Sequence, residues 1–146
     1  IDMLLATHLP TFVNSKCPAR WAQTPATFLL CNQEELVTAF NRHEVRAARE
    51  QVQAAHLVVT QGAGGVTAIS VGGDPIHRLT LTTEVVDVCG AGDAFTAGLV
   101  RVALRFSLPH LFALKPVEMV DIIDAGQKAA AWCCAQIGCG TPLVEL

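Results

Sequence analysis

The chain lacks any excess of positive charge: ten Lys and Arg stand against thirteen Asp and Glu in 146 residues, for a formal charge of −3 and a pI near 5.9. Surfaces that bind nucleic acid or anionic membranes concentrate positive charge, so neither is an expected partner. Long apolar runs are also missing. The stretch from Ala129 to Ala135 falls well short of the ~20 residues that a membrane span needs. Cys-x-x-Cys does not occur, and His8, His43, His56, His77 and His110 are scattered without ligand spacing, which leaves a structural zinc site without support. There is no internal repeat, no low-complexity segment, and no basic stretch leading into an apolar signal core. The opening Ile1-Asp2-Met3 reads as the interior of a longer protein.

What the chain does contain is 51% apolar, 16% charged and 5% aromatic, the balance of one globular domain rather than of a disordered segment. A chain of this length buries roughly two-thirds of its unfolded surface, enough for a core without disulfide or metal staples. Cys17, Cys31, Cys89, Cys133, Cys134 and Cys139 are therefore expected as reduced, buried small hydrophobes of a cytoplasmic protein.

Short apolar or β-branched runs at 28–32, 57–61, 66–71, 76–81 and 85–88, punctuated by Gly, Pro and Asp, read as strands. Gly72-Gly73-Asp74-Pro75 is a hairpin signal. Leu36, Val37, Phe40, Val45, Ala48, Val52 and Ala55 recur at close to a 3.6 period behind Glu34 and Glu35, which predicts one helix between the first two strands. Strand, helix, strand of this length is a βαβ unit, and the expected fold is a three-layer α/β/α sandwich on a mostly parallel sheet. Further helices are expected from the glycines at 90–92 to about Ser107 and from about Val117 to Ile137, with a loop over 108–116 between them.

The strongest chemical feature is Asp87-Val88-Cys89-Gly90-Ala91-Gly92-Asp93. A strand entering a glycine-rich turn that opens a helix leaves backbone N–H groups unpaired and aligned with the positive end of the helix dipole, which attracts anions. Asp93 at that mouth is either a helix cap or a general base for an attacking hydroxyl. Cys89, beside the same helix start, is either packing or a thiol of lowered pKa. No Gly-Lys-Ser/Thr follows, so this is not a Walker loop. In Gly62-Ala63-Gly64-Gly65-Val66-Thr67, Thr67 occupies the last glycine position of a dinucleotide fingerprint and a strand follows instead of a helix, which excludes that reading.

The stretch from Asp87 to Gly98 resembles the second signature of the PfkB, or ribokinase-like, carbohydrate kinases. The resemblance implies that Asp93 is the catalytic base and that the backbone of Gly90, Ala91 and Gly92 is the anion hole. Asn32-Gln33-Glu34-Glu35 is similar to the family's Asn-x-x-Glu, which implies that Asn32 and Glu35 organise Mg²⁺ through water; a capping box is the alternative and is compatible with it. Thr60-Gln61-Gly62-Ala63-Gly64-Gly65 resembles the turn that runs along the nucleotide, with Thr60, Gly62 and Gly65 against its phosphates and ribose. Ala63 stands where a Ser is common. Gln127 falls where a polar residue meets the base, with a surface glutamine as the alternative, and the tail Gly138-Cys139-Gly140-Thr141-Pro142 resembles the turn that encloses adenine. Carbonyls beside Asp87 and Cys89 are implied as a site for a monovalent cation such as K⁺. Cys17-Pro18-Ala19-Arg20 matches the family's Asn-Pro-x-Arg loop only loosely.

What the resemblance implies is the C-terminal nucleotide-binding and catalytic portion, 1–146, of a kinase that uses ATP and Mg²⁺. The N-terminal substrate and lid portion would be absent, and the functional unit about twice as long. A small sugar is the expected acceptor, with a nucleoside such as pseudouridine or adenosine as the alternative, and a homodimer is implied for the full-length form. A non-catalytic nucleotide-binding fragment is the reading from another class.

Overall fold

A computed structural model describes residues 9–81 and 84–138. Five strands form one sheet in the order β1-β2-β3-β4-β5: β1 (Phe12–Asn14), β2 (Phe28–Asn32), β3 (His56–Thr60), β4 (Val66–Ser70) and β5 (Ile76–Arg78). The first three strands are parallel, and β3, β4 and β5 pair antiparallel, so the sheet is mixed. Five helices accompany it: α1 (Gln33–Phe40), α2 (Val45–Arg49), α3 (Ala91–Ala103), α4 (Leu108–Leu111) and α5 (Pro116–Cys134).

The apolar runs are continuous because β2 and β3 are buried on both faces, as parallel strands between helix layers must be. Leu29, Cys31, Leu57 and Val59 pack with Leu36, Phe40, Val45 and Ala48 on one side. Phe28, Leu30 and Val58 pack with Phe95, Leu99, Met119, Ile122 and Ile123 on the other. The expected α/β/α sandwich and its βαβ unit are present.

Three local expectations are corrected. The single helix between β2 and β3 is two helices, because Asn41 takes a left-handed conformation (φ 50°) and its N–H closes α1 on the Val37 carbonyl. Val45, Ala48 and Val52 still face the same core as Leu36 and Phe40, so the apolar period runs on across the break. Residues 85–88 are not a strand: Val85, Val86 and Val88 are exposed, and the N–H groups of Val86 and Asp87 both donate to the Cys134 carbonyl, at 2.7 and 3.1 Å. The loop expected at 108–116 contains the short helix α4, started by Pro109 in its first turn and anchored by the fully buried Leu111.

Cysteine placement is uneven: Cys31 and Cys133 are buried, whereas Cys17 and Cys89 are exposed, which corrects the uniform burial expected. Cys139 and the tail from it lie outside the described residues. Among the described residues no helix is long and apolar enough to cross a membrane.

Candidate active site

The carboxyl ends of the three parallel strands set the site. Register aligns Asn14 with Leu30 and Asn32 with Thr60, so Asn14, Asn32 and Thr60 end adjacent strands at one edge of the sheet. In open α/β sheets ligands bind at that edge.

The start of α3 faces the same edge. Gly90 caps it with φ 77°, a left-handed conformation that disfavours side chains, and its carbonyl accepts the Ala94 N–H at 2.9 Å. The Ala91 N–H donates to Val88, but among the described residues neither the Gly92 nor the Asp93 N–H has a backbone acceptor. These donors, at the positive end of a 13-residue helix, form an anion cradle. The exposed Asp93 sits in its first turn.

Two cavities meet here. A polar one of about 280 Å³ is bounded by Asn14, Lys16, Asn32, Glu35, Thr60, Gly90, Gly92 and Asp93, along with Thr96 at the first turn of α3. An apolar one of about 490 Å³ adjoins it, sharing Thr60, Gly92 and Phe95, and its walls include Gly62, Gly65, Ala91, Gln127 and Cys134. Residues 91 and 92 thus touch the apolar cavity, and residues 90, 92 and 93 the polar one.

Asn32 and Glu35 form a reciprocal capping box: Asn32 Oδ1 accepts the Glu35 N–H at 2.8 Å, and Glu35 Oε2 accepts the Asn32 N–H at 2.8 Å. The capping box is present, and both side chains border the polar cavity while capping α1. One oxygen of Glu35 and the amide nitrogen of Asn32 carry no protein partner among the described residues. Next to them the Cys31 thiol is pushed up to about 12 by burial and then by the Glu35 charge, so it stays protonated.

The turn after β3 is shaped by glycine. Gly62 has φ 56° and Gly65 φ 95°, and a Cβ on Gly65 would overlap the Arg78 carbonyl oxygen. Thr80 Oγ1 donates to the Gly62 carbonyl at 2.6 Å, fastening this turn to the segment after β5. Gln127 is 6% exposed, which corrects the surface alternative; its Nε2 donates to the Arg78 carbonyl at 3.3 Å.

Asp87 bridges the entry and exit of the site. Its Oδ1 accepts the Cys89 N–H at 2.9 Å and its Oδ2 the Gly138 N–H at 3.0 Å, and these two bonds hold its carboxyl below the usual carboxylate range. The Cys133 thiol donates to the Cys89 carbonyl at 3.3 Å, against the same loop. Among the described residues no group of three or more His, Cys, Asp or Glu is arranged to hold a metal ion.

Sequence reasoning missed Asn14, Lys16 and Thr96. The signal for Lys16 was a lone cation just beyond a short strand, two residues before the Pro18–Trp21 turn. Arg20, in the segment only loosely matched to a family loop, borders neither of these two cavities.

A mixed α/β/α sandwich with unpaired helix N–H groups and a carboxylate at the ends of its parallel strands defines an α/β protein whose strand ends suit an anionic ligand. The chain belongs to the pfkB family of carbohydrate kinases, whose model matches residues 6–146. It is 33% identical over 103 residues to fructokinase from Escherichia coli, an alignment covering 70% of this chain and 32% of that protein. Among solved structures it is similar to adenosine kinase from Sinorhizobium meliloti, with a TM-score of 0.71, 20% identity, and coverage of 98% of this chain and 44% of that one. It is also similar to a double mutant of fructokinase from Vibrio cholerae O395 holding fructose, ADP and potassium ion, with a TM-score of 0.66, 21% identity, and coverage of 78% and 36%. The fold is ribokinase-like. The chain spans less than a third of the length of the curated relatives it matches.

Proposed function

We propose that the protein carrying this chain transfers the γ-phosphoryl group of ATP to a hydroxyl of a small sugar, and that residues 1–146 supply its nucleotide-binding and catalytic portion. The observation that carries this reading is the convergence of Asp93, the α3 cradle and the ends of three parallel strands on one polar cavity that opens into an apolar one.

Asp93 takes the proton from the acceptor hydroxyl, whose oxygen then bonds the γ-phosphorus as the bond to the ADP oxygen breaks. General-base help of this kind is worth ~10²–10⁴-fold. The N–H groups of Gly92 and Asp93 oppose the negative charge on the transferring group, in a frame already built before the substrate arrives. Thr60 lies where the two cavities meet and Gly62 and Gly65 line the apolar one, fitting the nucleotide's phosphates and ribose, and the base occupies the apolar cavity beside Gln127.

The residues present fit Mg²⁺ held mainly through water and phosphate: Asn32 and Glu35 offer hard oxygen and amide groups at the polar cavity, without a full protein ligand set among the described residues. Bound there, Mg²⁺ neutralises phosphate charge. A monovalent cation would take main-chain carbonyls near Asp87 and Cys89, whose side chain and carbonyl already hold the loop in place. The Vibrio cholerae fructokinase structure to which the chain is similar holds a potassium ion, which supports a monovalent cation in this reading.

The acceptor is a sugar by likeness to the Escherichia coli fructokinase, and a nucleoside by likeness to the Sinorhizobium meliloti adenosine kinase. The test is ATP-dependent phosphorylation of a sugar and nucleoside panel by the full-length protein and its Asp93→Ala variant. Loss of turnover with nucleotide binding retained is expected; undiminished turnover in the variant would overturn the mechanism.

A further inference from the structure

We infer that Gln61 is a positioning residue of this site, the middle of a hydrogen-bond relay that holds the glycine turn after β3 in register with the start of α1. The inference rests on the phosphotransfer reading above. Gln61 and its partner Gln33 border neither the polar nor the apolar cavity, so any effect they have on the reaction passes through other residues.

The direction of the relay is fixed at its His43 end. A main-chain carbonyl only accepts, so the group 2.8 Å from the His43 carbonyl oxygen is the amide nitrogen of Gln33. Gln33 Oε1 is thereby left as an acceptor, and Gln61 Nε2 donates to it at 2.9 Å. Gln61 Oε1 in turn accepts the Thr67 hydroxyl at 2.9 Å. Thr67 has one proton to give, so its 3.0 Å contact with His77 Nδ1 runs from the ring N–H to the hydroxyl oxygen.

This relay crosses the elements that build the site. Gln33 is the first residue of α1, between Asn32 and Glu35, whose capping box borders the polar cavity. Gln61 opens the turn whose Gly62 and Gly65 line the apolar cavity: its N–H donates to the Gly65 carbonyl at 2.8 Å, and its carbonyl accepts the Gly64 N–H at 2.9 Å. Thr67 is 8% exposed and pairs directly opposite His77 between β4 and β5, so the far end of the relay stands on the sheet.

A turn that contains two left-handed glycines has much conformational freedom to lose and needs fixing from outside. The Thr80 hydroxyl ties it toward the segment after β5, and the Gln61 side chain ties it to α1. Removing the middle of the relay strands the Gln33 oxygen on one side and the Thr67 hydroxyl on the other, and releases the turn from the helix start.

The experiment measures steady-state phosphoryl transfer by the full-length protein, and equilibrium binding of a fluorescent N-methylanthraniloyl-ADP. Gln61→Met keeps the length of the side chain and removes both of its bonds. It should raise the KM for ATP and the Kd of the probe by roughly 5- to 20-fold and leave the KM of the acceptor unchanged. Gln33→Met breaks the same link from the α1 side and should act in the same direction. The double variant should be no worse than Gln61→Met, because a relay already broken has no second link to lose.

ATP and probe values within about twofold of the unaltered protein in Gln61→Met would overturn the inference. Defects that multiply in the double variant would overturn it as well, since they would mark two independent residues. An acceptor KM that rises in step with that of ATP would show general loosening of the fold rather than positioning of the turn. If Gln61→Met does not fold, the half-buried Gln33 decides by the same twofold criterion in Gln33→Met. Neither probe binding nor turnover in the unaltered protein would instead remove the phosphotransfer reading, and this inference with it.

Discussion

Asn14 and Thr96, 82 residues apart in the chain, are joined by a 3.0 Å hydrogen bond in which Asn14 Nδ2 donates to the Thr96 hydroxyl. That hydroxyl donates in turn to the Gly92 carbonyl at 2.9 Å. The end of β1 is thereby tied to the first turn of α3, the turn that carries Asp93. Both residues border the polar cavity, so the bond sets the distance between the strand ends and the anion cradle.

Thr96→Val keeps the shape of the side chain and removes both bonds. Water reaches this exposed edge and replaces part of what is lost, so the stability change should be about 1 kcal/mol or less. Turnover should fall further, about tenfold, because small misplacements of a reacting group are magnified in rate. Denaturant unfolding and steady-state kinetics on the same preparation separate the two effects. Unchanged turnover would show that Asp93 is positioned without this bond.

Among the described residues that border the polar cavity Lys16 is the only cation, and it is accompanied by the carboxylates Glu35 and Asp93. A polyphosphate entering there meets two negative side chains, and among the described residues Lys16 has no carboxylate partner to neutralise it first. Lys16→Met should lower kcat on the order of 10- to 100-fold and weaken ATP more than ADP, whereas Lys16→Arg should retain more activity. Equal kcat in Lys16→Met and the unaltered protein would mark Lys16 as a solvated bystander.

The cradle was legible in the sequence because its requirements are local: a left-handed Gly90, an unobstructed Gly92 and an acid in the first turn are adjacent residues. Asn32 and Glu35 were legible for the same reason, since the capping box spans one helical turn. Asn14 and Lys16 were not, because they reach the cavity through the parallel pairing of Phe12 with Phe28, and a three-residue strand with one buried side chain has no period to detect. Val85 to Val88 misled in the opposite direction. Their β-branched side chains favour a strand, but the backbone donors of Val86 and Asp87 are taken by the carboxyl end of α5, a contact that no local pattern announces.

His56 should make stability fall with mild acid. The ring is 1% exposed; Nε2 donates to the Leu111 carbonyl, and Nδ1 accepts the Ser70 hydroxyl at 2.8 Å, which fills both nitrogens only in the neutral form. Burial lowers its pKa most; the Leu111 bond opposes that shift and the Arg49 charge adds to it. Because the folded value lies below the ordinary 6.5, the unfolded chain takes the proton first. The contribution is therefore complete above 6.5 and is lost as pH falls from 6.5 toward the folded value. Urea unfolding between pH 7.5 and 5.5 should show this loss, and His56→Gln should flatten it; an equal slope in both proteins would assign the acid sensitivity elsewhere. Asp87 does not intrude, since its lowered pKa acts below the carboxylate value of 3.8.

Two glycines of α3 should separate stability from catalysis. A Cβ on Gly98 would come within 2.5 Å of the Ala125 carbonyl oxygen and 2.8 Å of the Ala129 Cβ, both fixed parts of α5. The helices would have to part, so Gly98→Ala should destabilise the fold by about 1–3 kcal/mol, an overpacking penalty. A Cβ on Gly92 meets nothing within 4 Å, and alanine is favoured over glycine in a helix by up to about 1 kcal/mol. Yet Gly92 borders both cavities, so on the proposed phosphotransfer reading an added methyl group takes space meant for the phosphates. Gly92→Ala should therefore unfold at the same or a higher denaturant concentration while losing nucleotide affinity and turnover. Loss of stability in Gly92→Ala with affinity unchanged would mean that this glycine serves the turn rather than the anion.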